Sequence, residues 1–289
     1  MAMRTIDLHT HSTASDGTDS PARLVENAFS AGLCAIALTD HDTTAGLAEA
    51  EAAGRETSLD VIRGCEISTM TEKGEIHIVG LWLPRDTTLL QAGLDYLANR
   101  RRQRNERMVE KLCSLGLPMT LADLKEKAGD GSIGRPHMAA VMVERGYVRD
   151  TAQAFRDYLG NGGKAYVPKA VFTPEEGVRL LAANGATPVL AHPLIRHAYS
   201  AAWLHALIER LVPCGLDAIE AWHTEQDTAD SRQCMAWAKE FGLGVSGGSD
   251  YHGANKPGVR LGTGSGRLCV PEQVADDLRQ RRAARGLPC

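Results

Sequence analysis

The chain has 289 residues, enough for one full α/β barrel or for two modest domains. Its formal net charge of −4 argues against a protein built to coat long nucleic acid, although a local basic patch is compatible with it. Seven cysteines form no CxxC pair and leave one unpaired, which argues against a disulfide framework and for a reducing compartment. The start MAMRTIDLH has no basic stretch followed by a long apolar segment, and no apolar run reaches bilayer-spanning length, so a cytoplasmic protein is expected.

In chain order, the first predicted strand carries DLHTHS at 7–12. Alternate residues of a strand share a face, so Asp7, His9 and His11 converge on one spot. Carboxylate and imidazole together are costly to hide in an apolar core and suit a divalent cation. A helix follows, with Ser20 as N-cap, Pro21 in the first turn and Gly32 at the C-terminal end. Next come the apolar runs CAIALTDHD (34–42), VIRGCEIS (61–68) and EIHIVGLWL (75–83), with a helix over 44–56 between the first two. From about 87 to 169 the alternation stops and helices dominate, over 89–115, 121–128, 136–145 and 151–159. Alternation then resumes with strands TPVLAHP (187–193), LDAIEAWH (216–223) and LGVSGGSDYH (243–252), and helices over 173–185, 203–211, 224–241 and 271–284.

Each apolar run ends in, or carries, a potential ligand, which reads as parallel strands delivering side chains to one rim of a barrel. The candidates collected there are His9, His11, Asp16, His41, Glu66, His77, His192, Asp250 and His252. They outnumber what one four-coordinate zinc needs, so two or three divalent ions are expected. Imidazole with carboxylate and no thiolate favours manganese, with iron or zinc as alternatives, over calcium or magnesium. Clustered divalent ions activate water and clamp the oxygens of a phosphoryl group in transfer, so no protein nucleophile is needed. Consistent with that, the chain has no GxxxxGK[ST] phosphate loop.

Taken together, DLHTHS, SDG (15–17), ALTDHDT (37–43), GCEIS (64–68), His77, AHP (191–193) and GSDYH (248–252) resemble the polymerase and histidinol phosphatase family. The resemblance implies a distorted seven-stranded (β/α) barrel with a trinuclear metal site. The barrel is expected over 1–86 and 170–289, with 87–169 as a helical insertion forming a substrate-binding cap. It also implies that His9, His11, Glu66 and Asp250 hold one metal and that Glu66 bridges to a second held by His77 and His192. Asp16, His41 and His252 would hold the third; many relatives use histidine where Asp16 stands, which makes this third site more anionic.

Asp7 and Asp40 read as orienting a neighbouring imidazole through its other nitrogen. Ser12 has two readings, a hydrogen bond to substrate phosphate and turn formation. His223, at a strand end, either protonates the leaving oxygen or binds phosphate beside Glu66 and Asp250. His137, His197 and His205 match no ligand position.

The insertion carries the substrate hint. In NRRRQRNERM (99–108), Arg101, Arg104 and Asn105 share a helical face, and GRPH (134–137) and the glycine-rich stretch before Lys164 follow. A solvated face explains the arginine run alone, whereas Arg135 and Lys164 beside it point to a phosphate. The arrangement is similar to the family branch that acts on nucleoside 3′,5′-bisphosphates and on short RNA from its 5′ end. That implies removal of the 3′-phosphate from a small nucleotide such as adenosine 3′,5′-bisphosphate, giving the 5′-monophosphate. A 5′-to-3′ exoribonuclease on short 5′-phosphorylated RNA is the alternative reading. Histidinol phosphate suits the basic insertion less, because it carries an amine in place of a second anion. A regulatory, non-catalytic module is disfavoured by the complete ligand set. No membrane or obligate protein partner is expected.

Overall fold

A computed structural model describes residues 4–128, 133–168, 171–195 and 198–289. The chain divides into two compact units, Met1–Leu94 with Phe172–Cys289, and Asp95–Val171.

The first unit is an α/β barrel. Its strands are β1 (Thr5–Thr10), β2 (Ala35–Leu38), β3 (Asp60–Met70), β4 (Glu75–Leu81), β5 (Thr187–Leu190), β6 (Ala218–His223), β7 (Gly244–Gly248) and the two-residue β8 (Val270–Pro271). They lie in the order β7-β6-β5-β4-β3-β2-β1-β8. Seven strands make the wall, and the short β8 pairs antiparallel with the start of β1. Past the strand ends, Asp250 N–H donates to His9 O at 2.9 Å and His11 N–H to Tyr251 O at 2.9 Å, which joins β7 to β1 at one rim.

One expectation needs correction, because the runs are not all parallel. β4 is antiparallel to both β3 and β5. Only residues 71–74 separate β3 from β4, far fewer than a parallel crossover requires. The start of β4 therefore lies at the rim where its neighbours end, and His77 pairs with Ser68 near the end of β3.

Side chains alternate across the wall as a period of two demands. Ile36, Ile67, Ile78, Leu190 and Ile219 face outward and pack with helix residues such as Leu24, Val25, Leu181 and Leu207. Ile6, Ala37, Ile62, Val79, Leu81, Val189 and Ala218 pack with one another on the inner face. On that inner parity the apolar series ends at the rim in Glu66 (after Ile62), His77 (beyond Leu81 and Val79) and Glu220 (after Ala218).

The helices follow their capping signals. α1 (Pro21–Ser30) begins where the Ser20 side chain accepts from Arg23 N, and α2 spans Leu47–Thr57. α3 is Thr88–Ser114, and its first turns stay with the barrel unit because Leu90 and Leu94 are buried in the outer core. The boundary between the units thus falls inside α3, at 94/95, and on the return at 171/172, instead of at 86/87 and 169/170.

The second unit contains the rest of α3 with α4 (Leu121–Ala128), α5 (Arg135–Glu144) and α6 (Thr151–Ala154), the last continued by a wider turn over Phe155–Leu159. Its own core is methionine-rich, including Met108, Met119, Met138 and Met142. α7 (Pro174–Ala183), α8 (Ala201–Leu211), α9 (Thr228–Glu240) and α10 (Gln273–Ala284) return to the barrel. Thr173 and Glu176 cap α7 reciprocally.

Candidate metal centre

Glu66 is the hub of the rim. One carboxylate oxygen lies 3.1 Å from His9 Nε2, 3.2 Å from His11 Nε2 and 3.2 Å from His41 Nδ1. The other lies 3.0 Å from His77 Nδ1 and 3.2 Å from His192 Nε2. Asp250 Oδ1 is 3.3 Å from His11 Nε2 and 3.4 Å from His252 Nδ1, while Oδ2 is 3.4 Å from His223 Nε2. Asp16 completes the set, with Oδ1 3.3 Å from His252 Nε2 and Oδ2 4.0 Å from His41 Nε2. All nine candidate ligands therefore meet at one rim, delivered by six strands or the loops that follow them.

Among the described residues, four groups have donor atoms close enough to share an ion: His9, His11 and Asp250; His41, Glu66 and His77; His11, Asp16, His41 and His252; and His9, His192 and Glu220. A purely structural cluster would pair its polar atoms, because a buried unpaired donor or acceptor costs about 1–3 kcal/mol. Here His9 Nε2, both ring nitrogens of His11, His41 Nδ1, His77 Nδ1 and Glu66 Oε2 are buried without a hydrogen-bond partner. These residues fit divalent ions.

The electrostatics agree. Burial pushes the Glu66 carboxyl up, but the imidazoles of His9, His41 and His77 overcome it and hold Glu66 well below the ordinary carboxylate range. Burial likewise opposes charge on His77, yet Glu66 raises it to about 10. At His41 burial prevails and the value falls to about 4. Two of the ligand candidates also have left-handed backbone, His192 at φ 29° and Asp250 at φ 56°, a geometry that costs a non-glycine residue strain.

The residue that orients an imidazole from behind is Glu220, a role the sequence suggests for Asp7 and Asp40 instead. Its Oε1 is 3.0 Å from His9 Nδ1, and its Oε2 accepts the His192 N–H at 2.8 Å. When His9 is neutral its proton is thereby held on Nδ1 and the Nε2 lone pair faces the centre. Gln226 braces this arrangement, donating to Glu220 O and accepting from Leu194 N. A carboxylate in the middle of the apolar run LDAIEAWH was the available signal.

Asp7 and Asp40 do not take that role. Asp7 accepts backbone N–H from Ser249 and Gly262, both at 2.8 Å, and from His9 at 3.4 Å. Asp40 accepts from Ser12 N, Ser12 Oγ and Ser15 Oγ, each at 2.7 Å. Both fix loops at the rim. Ser12 is fully buried and its hydroxyl also accepts from Ala14 N, so it forms the turn and is not presented to substrate.

His223 accepts the Glu225 N–H on Nδ1 at 3.1 Å, which leaves a neutral ring's proton on Nε2, the atom facing Asp250. Lys256, in an ordinary-looking GANKPG loop, was also missed; its Nζ lies 2.5 Å from Asp250 Oδ2. His205 pairs with Glu240 on the surface, and His137 accepts the Gly134 N–H, so both have local partners. His197 lies outside the described residues.

In the second unit, Arg104 is not on a solvated face. It is buried, and its Nε donates to Val167 O at 2.8 Å. Burial lowers its guanidinium value, and the nearby charges of Arg135 and Arg101 add to the effect. Asn105 is buried and donates to Ile133 O, with Oδ1 unpartnered. Arg135 reaches Leu159 O and lies over Phe155, and Lys164 lies over Tyr158.

Residues 7–119 match the PHP domain family. The chain is 40% identical over 247 residues to a 5′-3′ exoribonuclease of Haemophilus influenzae, covering 85% of this chain and 89% of that one. The chain belongs to the PHP family. A 3′,5′-nucleoside bisphosphate phosphatase of Chromobacterium violaceum is 32% identical over 266 residues, covering 90% and 91% of the two chains. Among solved structures, an amidohydrolase from Chromobacterium violaceum with bound sulfate and no metal superposes with a TM-score of 0.71 at 31% identity, covering 96% of each chain. This PHP chain is a metal-dependent phosphoester hydrolase. No helix among its described residues is long and apolar enough to cross a membrane.

Proposed function

We propose that this PHP enzyme hydrolyses the ester between a phosphate and the 3′-oxygen of a nucleotide that carries a 5′-phosphate. The nucleoside 3′,5′-bisphosphate is the minimal substrate and the 5′-monophosphate the product. One observation carries the catalytic half of this reading: six buried nitrogen and oxygen atoms of the clustered His9, His11, His41, Glu66 and His77 have no hydrogen-bond partners.

His9, His11, Glu66 and Asp250 are the set for one ion, and Glu66, His77 and His192 for a second. Asp16, His41 and His252 are the set for a third, with manganese foremost and iron or zinc as alternatives. When bound, such ions supply an activated water and neutralise charge on the phosphoryl oxygens. Glu66 and Asp250 hold the charge of the site in place. His223 carries its proton on Nε2 beside Asp250, which as a neutral ring makes it a hydrogen-bond donor to a phosphoryl oxygen; only a doubly protonated imidazolium would pass a proton to the departing 3′-oxygen.

Arg101, Arg104, Arg135 and Lys164 of the second unit, with Asn105, supply the 5′-phosphate contact. The support is the buried Arg104 guanidinium, which has Arg135 and Arg101 among its charged neighbours, an arrangement that an anion relieves. Arg135→Ala is expected to lower kcat/KM for the bisphosphate at least tenfold more than for an aryl phosphate, which lacks the distal anion. Equal losses on both substrates would remove Arg135 from recognition.

A second reading, trimming of short 5′-phosphorylated RNA from its 5′ end, is favoured by the name of the 40% identical relative. It breaks the same bond. Side-by-side turnover of adenosine 3′,5′-bisphosphate, a 5′-phosphorylated dinucleotide and histidinol phosphate separates the substrates.

A further inference from the structure

The loop after β7 brings to the rim a cation that belongs to no ligand set. Lys256 Nζ lies 2.5 Å from Asp250 Oδ2, its one ion pair among the described residues. The two oxygens of Asp250 face different neighbours. Oδ1 is 3.3 Å from His11 Nε2 and 3.4 Å from His252 Nδ1, on the ligand side, whereas Oδ2 meets Lys256 and His223 Nε2. The loop is anchored to the segment that carries Asp16: Ala254 N–H donates to Thr18 Oγ1 and Asn255 Nδ2 to Asp16 O, both at 2.8 Å. Gly253, at φ 62°, permits that approach, because a Cβ there would collide with Thr18 Oγ1.

Those backbone and amide bonds hold the loop without help from the ammonium. Asp250 Oδ2 takes one of its three N–H donors, and the Lys256 side chain stays 34% exposed, so a molecule arriving from solvent can meet the others. A cation beside a cluster that collects cations works against it. An anion received between them offsets that repulsion. His223, on the same carboxylate oxygen, sets a second donor next to the ammonium.

We propose that Lys256 contacts the scissile phosphate and weights the site toward a terminal phosphate over an internal diester. The inference rests on the hydrolysis proposed above. A terminal phosphate has three oxygens free of further ester links and a charge of about −1.5 to −2 at neutral pH. A diester has two such oxygens and a single charge. The third oxygen is the difference, and Lys256 donates to it. In the reaction a water oxygen bonds to phosphorus, the bond from phosphorus to the 3′-oxygen breaks with its electron pair going to that oxygen, and the oxygen takes a proton. Lys256 keeps its own protons and neutralises charge on the phosphoryl group.

The test uses the full-length, manganese-loaded protein, unsubstituted and with Lys256→Gln or Lys256→Arg. Elemental analysis counts the ions, calorimetry reads the affinity for inorganic phosphate, and turnover is compared on adenosine 3′,5′-bisphosphate and a 5′-phosphorylated dinucleotide. Lys256→Gln is expected to keep its ions and to bind phosphate about tenfold more weakly. Its kcat/KM should fall about tenfold or more on the bisphosphate and about threefold or less on the dinucleotide. Lys256→Arg, which keeps the charge, should hold phosphate affinity within about threefold of the unsubstituted protein. Loss of ions from Lys256→Gln would mean that Lys256 serves only by holding Asp250. Unchanged phosphate affinity, or equal losses on the two substrates, would remove it from the phosphate. In each of these cases the hydrolysis reading stands. If the unsubstituted protein turns over no 3′-phosphoester, that reading fails, and phosphate affinity alone then decides whether Lys256 meets a phosphate.

Discussion

Glu220 and Asp7 show how differently two buried carboxylates can serve one centre. Glu220 meets the far nitrogen of His9 and the backbone of His192, so Glu220→Gln should leave the fold intact and weaken manganese binding about 10–100-fold. Calorimetric titration of the metal-free protein checks this, and unchanged affinity would mean that Glu220 only fills space. Asp7 gathers backbone N–H groups from three segments. Asp7→Ala strands those buried donors and should lower stability by about 2–4 kcal/mol in chemical denaturation. The rim histidines were legible in the sequence because each stands at or near the end of an apolar run. Glu220 and Lys256 were not, because a carboxylate inside a strand and a lysine in a loop have commoner explanations. For Ser12 the sequence left phosphate contact and turn formation equally open, since its place in DLHTHS says nothing of how its hydroxyl is engaged, and the structure has it in the turn.

At the level of elements, the join of β7 to β1 decides whether the ligands of the two ends of the chain meet. A Cβ on Gly248 would stand 2.4 Å from both the backbone nitrogen and the Cβ of His9. Gly248→Ala must therefore push β7 from β1, at a cost of about 3 kcal/mol by the measure of overpacked cores, with weaker metal binding. An equilibrium unfolding curve superposable on that of the unsubstituted protein would contradict this closure. Strand and helix order was readable from the runs and their caps, and Ser20, Thr173 and Asp227 cap where such residues should. The direction of β4 was misjudged although the four residues from Thr71 to Gly74 are too few for a crossover, because the apolar pattern of a strand carries no sense of direction.

For the molecule as a whole, the clustered charges tie stability to pH and metal. Folding raises His77 from its ordinary 6.5 to about 10, and His9 also rises. Such groups add stability that is complete below the unfolded value and lost as pH climbs through the folded one. The Tm of the metal-free protein should therefore fall between pH 6.5 and 10. Divalent ions take the place of those protons, so the rise in Tm on adding manganese should grow over the same interval. Scanning calorimetry with and without metal reads both trends, and a metal-induced rise that shrinks with pH would contradict the shared site.

The two-part organisation was visible as a change from alternating to wholly helical sequence, but its boundary inside α3 was not. Only packing shows that Leu90 and Leu94 belong with the barrel. The central claim is that these side chains gather several divalent ions that hydrolysis requires. Elemental analysis paired with turnover, before and after exhaustive chelation, tests it most directly. At least two equivalents per chain, activity lost with them and restored by manganese, are predicted; full turnover from protein stripped of divalent ions would contradict the account.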